Sequence, residues 1–226
     1  MQYRKHLIFG NDNYPCILEM NIDKWVLKKK AVPMALRLRC HMAVAKVMEG
    51  KYFIGGGIDS NEEKPSKAAY LYYPGTNKAI ELPKMRTKKS RATAIAAGQF
   101  VYVFGGRNDH GDIIGECEKY SLEGEEWVQL PKMPSERMGA QAVLIKDKIL
   151  LVGGCDSLQN VTNIDMYVCP DTALTLPPTP SGPASSRSPF RPKSRPPSMT
   201  PSVQMSGSSF TVTTTYWAST TVTTCP

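Results

Sequence analysis

The apolar positions of this chain fall into short runs, each closed by a turn signal. Phe100 to Phe104 reads Phe-Val-Tyr-Val-Phe, β-branched or aromatic throughout, the composition of a strand buried on both faces. Gly105-Gly106 follows, where the backbone can leave the sheet at positive φ without a Cβ penalty. The same phrase occurs as Lys51-Tyr52-Phe53-Ile54-Gly55-Gly56 and as Lys148 to Gly154. A weaker copy is Leu7-Ile8-Phe9-Gly10. Gly55, Gly105 and Gly153 mark nearly equal steps along the chain. A phrase returning at so regular a period marks a repeat architecture.

Each unit predicts four strands. The second has His41 to Met48, the glycine-ended strand, Ala68 to Tyr73 after a polar loop, and Ala79 to Pro83 after the turn Pro74-Gly75-Thr76-Asn77. The third has Ala92 to Ala97, Phe100 to Gly106, Glu116 to Ser121 and Trp127 to Pro131. The fourth has Gln141 to Lys146, Lys148 to Gly154, Ile164 to Val168 and Leu174 to Pro177. Tyr72, Tyr120 and Tyr167 recur with the same period, and Leu82-Pro83-Lys84-Met85 returns one period later as Leu130-Pro131-Lys132-Met133. Four short strands per unit are the pattern of a propeller blade. The large Tyr and Trp side chains supply apolar area between such sheets, so a core role is expected for Tyr72, Tyr120, Tyr167 and Trp127.

These residues resemble the kelch repeat, whose pattern sets a Gly-Gly after the second strand, a Tyr on the third and a Trp at the start of the fourth. The third unit fits best, with Gly105-Gly106, Tyr120 and Trp127. The second has Ala79 or a neighbour in place of Trp, and the fourth has Leu174 there. The first keeps Trp25, with Gly10-Asn11 for the glycines and Met20 for Tyr, and lacks its first strand. The resemblance covers Tyr3 to Pro180 and implies an all-β, kelch-type propeller of about four four-stranded blades, the first incomplete. The expected organisation is kelch repeats over 1–180 (1–40 partial, 41–91, 92–138, 139–180). So few blades imply a partial propeller that self-associates through open blade edges.

From 181 to 226 the chain is dominated by Ser, Thr and Pro and has no Asp or Glu. It is expected to be a disordered tail, in which Phe210 to Thr224 could sample strand around Tyr216 and Trp217. Ser188 and Ser198 lie in this basic, proline-rich stretch and are open to phosphorylation.

Among 226 residues the formal net charge is +8. That permits attraction to nucleic acid, but no nucleic-acid motif accompanies it, and binding through the basic tail is the lesser reading. The six cysteines form no C-x-x-C pair and no metal-ligand spacing with the three histidines. No signal peptide or membrane-length apolar run is present, which gives a cytoplasmic expectation and makes Asn160-Val161-Thr162 a chance glycosylation pattern. The glycines open no phosphate-binding helix. No catalytic set, cofactor site or metal site emerges, and the reading is a non-catalytic module that recruits another protein. The alternative is a carbohydrate-active or oxidising enzyme on the same architecture.

In a propeller the loops after Gly-Gly and the links between units emerge on one face, where function concentrates. Arg37, Arg39, Lys89, Arg91, Arg107, Asn108 and Arg137 are the candidate partner-binding residues. Arginine suits this work because its planar fork donates bidentately to carboxylates, so an acidic partner segment is expected. The resemblance implies two settings: substrate recognition in an adaptor of a cullin-type ubiquitin ligase, or a cytoskeletal scaffold. No BTB or BACK domain is recognisable in this sequence.

Overall fold

In the computed structural model, residues 5–10, 15–21, 24–28, 33, 36, 39–157, 161, 163–169 and 217–221 are described. The first sheet has three antiparallel strands, β1 (Lys5–Gly10), β2 (Pro15–Asn21) and β3 (Lys24–Lys28). Next come β4 (Arg39–Cys40), β5 (Ala43–Met48), β6 (Lys51–Gly55), β7 (Ile58–Asp59), β8 (Lys64–Pro65), β9 (Ala69–Tyr73) and β10 (Lys78–Leu82). Of these, β5-β6-β9-β10 is the second sheet, while β4-β7-β8 is a small sheet at its end. The third sheet is β11 (Thr93–Ala97), β12 (Phe100–Phe104), β13 (Cys117–Ser121) and β14 (Trp127–Leu130). The fourth is β15 (Gln141–Ile145), β16 (Lys148–Val152), β17 (Asn163–Val168) and β18 (Trp217–Thr221). The innermost strands lie side by side, with β11 between β5 and β15. Four-stranded antiparallel sheets stacked on one another are propeller blades, as the repeat pattern predicts.

Period-2 alternation gives each sheet two apolar faces. Val101 and Val103 of β12 look back towards Phe53 and Leu71 of the second sheet, whereas Tyr102 and Phe104 look forward to Ile149, Leu151 and Tyr167 of the fourth. The expected wedges are buried: Tyr72, Tyr120, Tyr167 and Trp127. Strand register sets the Tyr of each third strand against the first residues of the outer strand, Tyr120 opposite Trp127 and Tyr72 opposite Ala79. In the first sheet Met20 stands opposite Trp25. Trp127 also donates its indole N–H to the Pro83 carbonyl at 2.7 Å, tying the third sheet to the second.

Two expectations are corrected. The glycine doublet equivalent to Gly105-Gly106 in the second unit is Gly56-Gly57, not Gly55-Gly56. Gly56, Gly57, Gly105, Gly106, Gly153 and Gly154 all have positive φ, whereas Gly55 closes β6. A Cβ on Gly56 would meet the Lys89 carbonyl, and one on Gly105 the equivalent Arg137 carbonyl, which fixes the alignment. Gly55 occupies the place of Phe104, and the Phe53 ring lies over it.

The fourth strand of the fourth sheet is the second correction. Trp217–Thr221 takes that edge, within the stretch expected to be a disordered tail. Leu174 to Pro177, expected there, and the rest of 170–216 lie outside the described residues. Trp217 stands opposite Tyr167 as Trp127 stands opposite Tyr120. It donates to the Pro131 carbonyl at 3.1 Å, and Pro131 is the counterpart of Pro83 in the next unit. Its ring is 5.1 Å from Tyr167 and 5.9 Å from Phe104, centroid to centroid. Pairing of this strand was set by an edge and a Trp-sized gap rather than by distance along the chain.

Candidate partner-binding face

At one end of the second, third and fourth sheets the chain leaves through the doublet and folds back against the link that entered the sheet. In the second unit β7 pairs with both β4 and β8. In the third, Arg107 bridges Ser90 and Ile113; in the fourth, Cys155 bridges Met138. Loops and links therefore share one face. Three link residues at equivalent places are joined across it: Arg91 N–H donates to the His41 carbonyl at 2.9 Å and Gly139 N–H to the Arg91 carbonyl at 2.8 Å. All three have positive φ, and Arg91 Nη2 lies 3.4 Å from His41 Nε2.

Two of the sequence-predicted binding residues are not on the surface. Lys89 is 0% exposed and Arg137 is 1% exposed. Lys89 Nζ is 3.1 Å from Glu118 Oε1 and donates to the Glu116 carbonyl at 3.0 Å. Arg137 Nη2 is 2.9 Å from Asp165 Oδ2, and Nη1 donates to the Gly153 and Asn163 carbonyls. The carbonyls of Lys89 and Arg137 accept from Gly57 and Gly106 of the preceding unit. Each cation thus clips two neighbouring sheets, and cannot reach a partner. A link charge reads as surface in the sequence because its carboxylate comes from the third strand of the following sheet, well beyond any local pattern. In the second unit Tyr70 takes the carboxylate's place, with the Arg39 guanidinium 5.8 Å from its ring centroid.

Arg39 is also mostly covered, and its Nη2 lies 3.4 Å from Asp59 Oδ2. Arg37 lies outside the described residues. Asn108 is turned inward: its Oδ1 accepts from the N–H groups of His110 and Asp112, which shapes the loop. Two of the described candidates are exposed residues, Arg91 and Arg107. Arg107 Nε donates to the Gly111 carbonyl at 2.8 Å, which holds the side chain over the loop.

Arg107 lines a cleft of about 540 Å³ between the third and fourth sheets, with Asp112, Ile113, Glu136, Met138 and Asp156. The acidic members temper the expected positive field, and Glu136 and Met138 were not singled out from the sequence; both adjoin the buried Arg137 in the link. Lys88 bonds Asp109 at 2.9 Å, and that hydrogen bond holds the Asp109 carboxyl below its usual range. At Glu116 burial pushes the carboxyl up, but the Lys132 hydrogen bond and backbone N–H outweigh it and the net shift is downward. Burial pushes the Cys117 thiol up to about 12, and Cys40, Cys117 and Cys155 form no disulfide. Among the described residues no three His, Cys, Asp or Glu side chains gather as metal ligands. No helix there is long and apolar enough to cross a membrane.

Stacked blades with a loop face and a polar cleft define a propeller-type repeat protein. Residues 89–134 match the Kelch motif. The chain is 31% identical over 111 residues to alpha-scruin of Limulus polyphemus, covering 47% of this chain and 12% of that protein. It is 27% identical over 144 residues to Kelch-like protein 36 of Mus musculus, covering 62% and 22%. Kelch repeat and BTB domain-containing protein 12 of Danio rerio is 27% identical over 132 residues, covering 50% and 21%. The chain therefore spans between 12% and 22% of the length of these relatives. A solved structure, that of YjhT, shares the fold with a TM-score of 0.57 at 14% identity, over 74% of this chain and 63% of that one. The Kelch motif over residues 89–134 and the stacked four-stranded sheets agree with a kelch-type propeller fold.

Proposed function

We propose that the loop face recruits an extended segment of another protein, without catalysis, and that Arg91 and Arg107 receive its carboxylates. The observation that carries this is the cleft between the third and fourth sheets, where a guanidinium held by its own loop stands beside apolar Ile113 and Met138. A guanidinium can take a carboxylate with two parallel hydrogen bonds, and the apolar pair can bury an adjacent side chain. Asp112, Glu136 and Asp156 disfavour a polyanion, so the segment is one of mixed charge with spaced acidic residues.

Recruitment of this kind serves an adaptor of a cullin-type ubiquitin ligase or a cytoskeletal scaffold in the cytoplasm. The name of the Danio rerio relative, with its BTB domain, supports the adaptor reading. The test is an array of mixed-charge and acidic peptides probed with the full chain, with affinities then measured by fluorescence anisotropy. Arg91→Ala/Arg107→Ala is expected to weaken binding at least about tenfold and to flatten its salt dependence. Unchanged affinity, or turnover of a small substrate by the purified chain, would overturn the reading.

A further inference from the structure

The fourth sheet exposes a face that the third sheet keeps covered. On the third sheet Ile95, Ala97, Tyr102, Phe104 and Cys117 belong to the apolar cluster shared with Ile149, Leu151 and Tyr167 of the next sheet. One period of the repeat carries those five positions to Val143, Ile145, Leu150, Val152 and Ile164. All five are again apolar. Here Val143 is 46% exposed, Ile145 50% and Val152 41%, and Leu150 and Ile164 are half-buried. A contiguous apolar patch of this kind marks an interaction surface rather than scattered surface residues.

The structure also shows what covers such a face. Across both junctions between the second, third and fourth sheets it is the back of another sheet, whose outer-strand Trp stands opposite its third-strand Tyr. Trp127 lies 6.0 Å from the Phe53 ring, and Trp217 lies 5.9 Å from Phe104. The counterpart of Phe104 on the exposed face is Val152. The first sheet keeps the same register, with Trp25 of its outer strand opposite Met20.

We propose that the exposed face of the fourth sheet is an interface between copies of this chain, taken by the first sheet of a second copy. The contact is heterologous, the end of one copy against the beginning of the next, so assembly extends head to tail beyond an isologous pair. It is apolar, and holds in salt that would screen a contact made by Arg91 and Arg107. The two surfaces are separate, and either can fail without the other.

Sedimentation velocity and equilibrium on the full chain, from about 1 to about 100 µM in low and high salt, read this out. The weight-average mass is expected to rise with concentration and to persist at high salt. Val143→Thr/Ile145→Thr/Val152→Thr keeps β-branching at all three positions and is expected to remain a monomer with native near-UV circular dichroism. Trp25→Ala is expected to lose association equally. Should the triple variant lose its near-UV signal, Val152→Thr alone is read instead, with about tenfold weaker association expected. A wild-type monomer at every concentration would overturn the proposal, as would face variants that associate like the wild type. Undiminished association of Trp25→Ala overturns the choice of the first sheet.

Discussion

Gly105 carries a backbone φ of +57°, and a methyl group there would run into the carbonyl oxygen of Arg137 and the Met133 side chain. Both the left-handed backbone and the close approach exclude a side chain. Gly75 differs on each count: its φ is not left-handed and nothing lies within 4 Å of an added Cβ. Gly105→Ala is therefore expected to destabilise the fold by at least ~2 kcal/mol, and Gly75→Ala to lie within ~0.5 kcal/mol of wild type or slightly above it. Urea denaturation at constant m-value distinguishes them. The need for glycine at the doublets was legible from the repeat alone. Which two of Gly55, Gly56 and Gly57 form the doublet was not, because three consecutive glycines fit the motif in two registers. The Lys89 carbonyl against Gly56, and the Phe53 ring over Gly55, decide between them.

Between elements, the links act as clips. Arg137 joins its own carbonyl to Gly106 of the third unit and its guanidinium to Gly153, Asn163 and Asp165 of the fourth. Removing one member leaves a buried charge without its counterion, so Arg137→Met is expected to lower stability by about 3–5 kcal/mol. Arg137→Met/Asp165→Leu is expected to recover part of that. Recovery stays incomplete because Asp165 also accepts from the Ser135 N–H at 3.2 Å. Chemical denaturation of the two variants checks both statements, and a single-variant loss under about 1 kcal/mol would contradict the clip. The strands themselves were legible in the pattern, since β12 and residues 149–152 of β16 are apolar runs followed by glycine. The fate of the link charges was not, since burial depends on which strand is stacked above.

At the scale of the whole molecule, the fourth sheet is completed by Trp217–Thr221, strand residues reached only after the long stretch that follows Cys169. A chain ended at residue 180, where the sequence changes character, lacks that strand and uncovers Tyr167 and Phe104. Truncation there is expected to lower the melting temperature by several degrees. Trp217→Ala in the full chain is expected to lower it by about 4–8 °C, equivalent to roughly 2 kcal/mol for a half-buried Trp. Differential scanning calorimetry reads both, and a truncated chain that melts with the full one would show the strand to be dispensable.

By itself the sequence determined the repeat, the all-β class, most strand limits and the buried Tyr and Trp positions. Each of these rests on local pattern: alternation along a strand, a glycine where the backbone turns back, a landmark returning once per unit. The tertiary structure alone decided that Lys89 and Arg137 are interior ties while Arg91 and Arg107 face outward. It alone recruited Trp217 to the edge beside Tyr167 and left the far face of the fourth sheet open. Those outcomes depend on which surfaces meet, and a surface made of strands distant in sequence leaves no periodic trace along the chain.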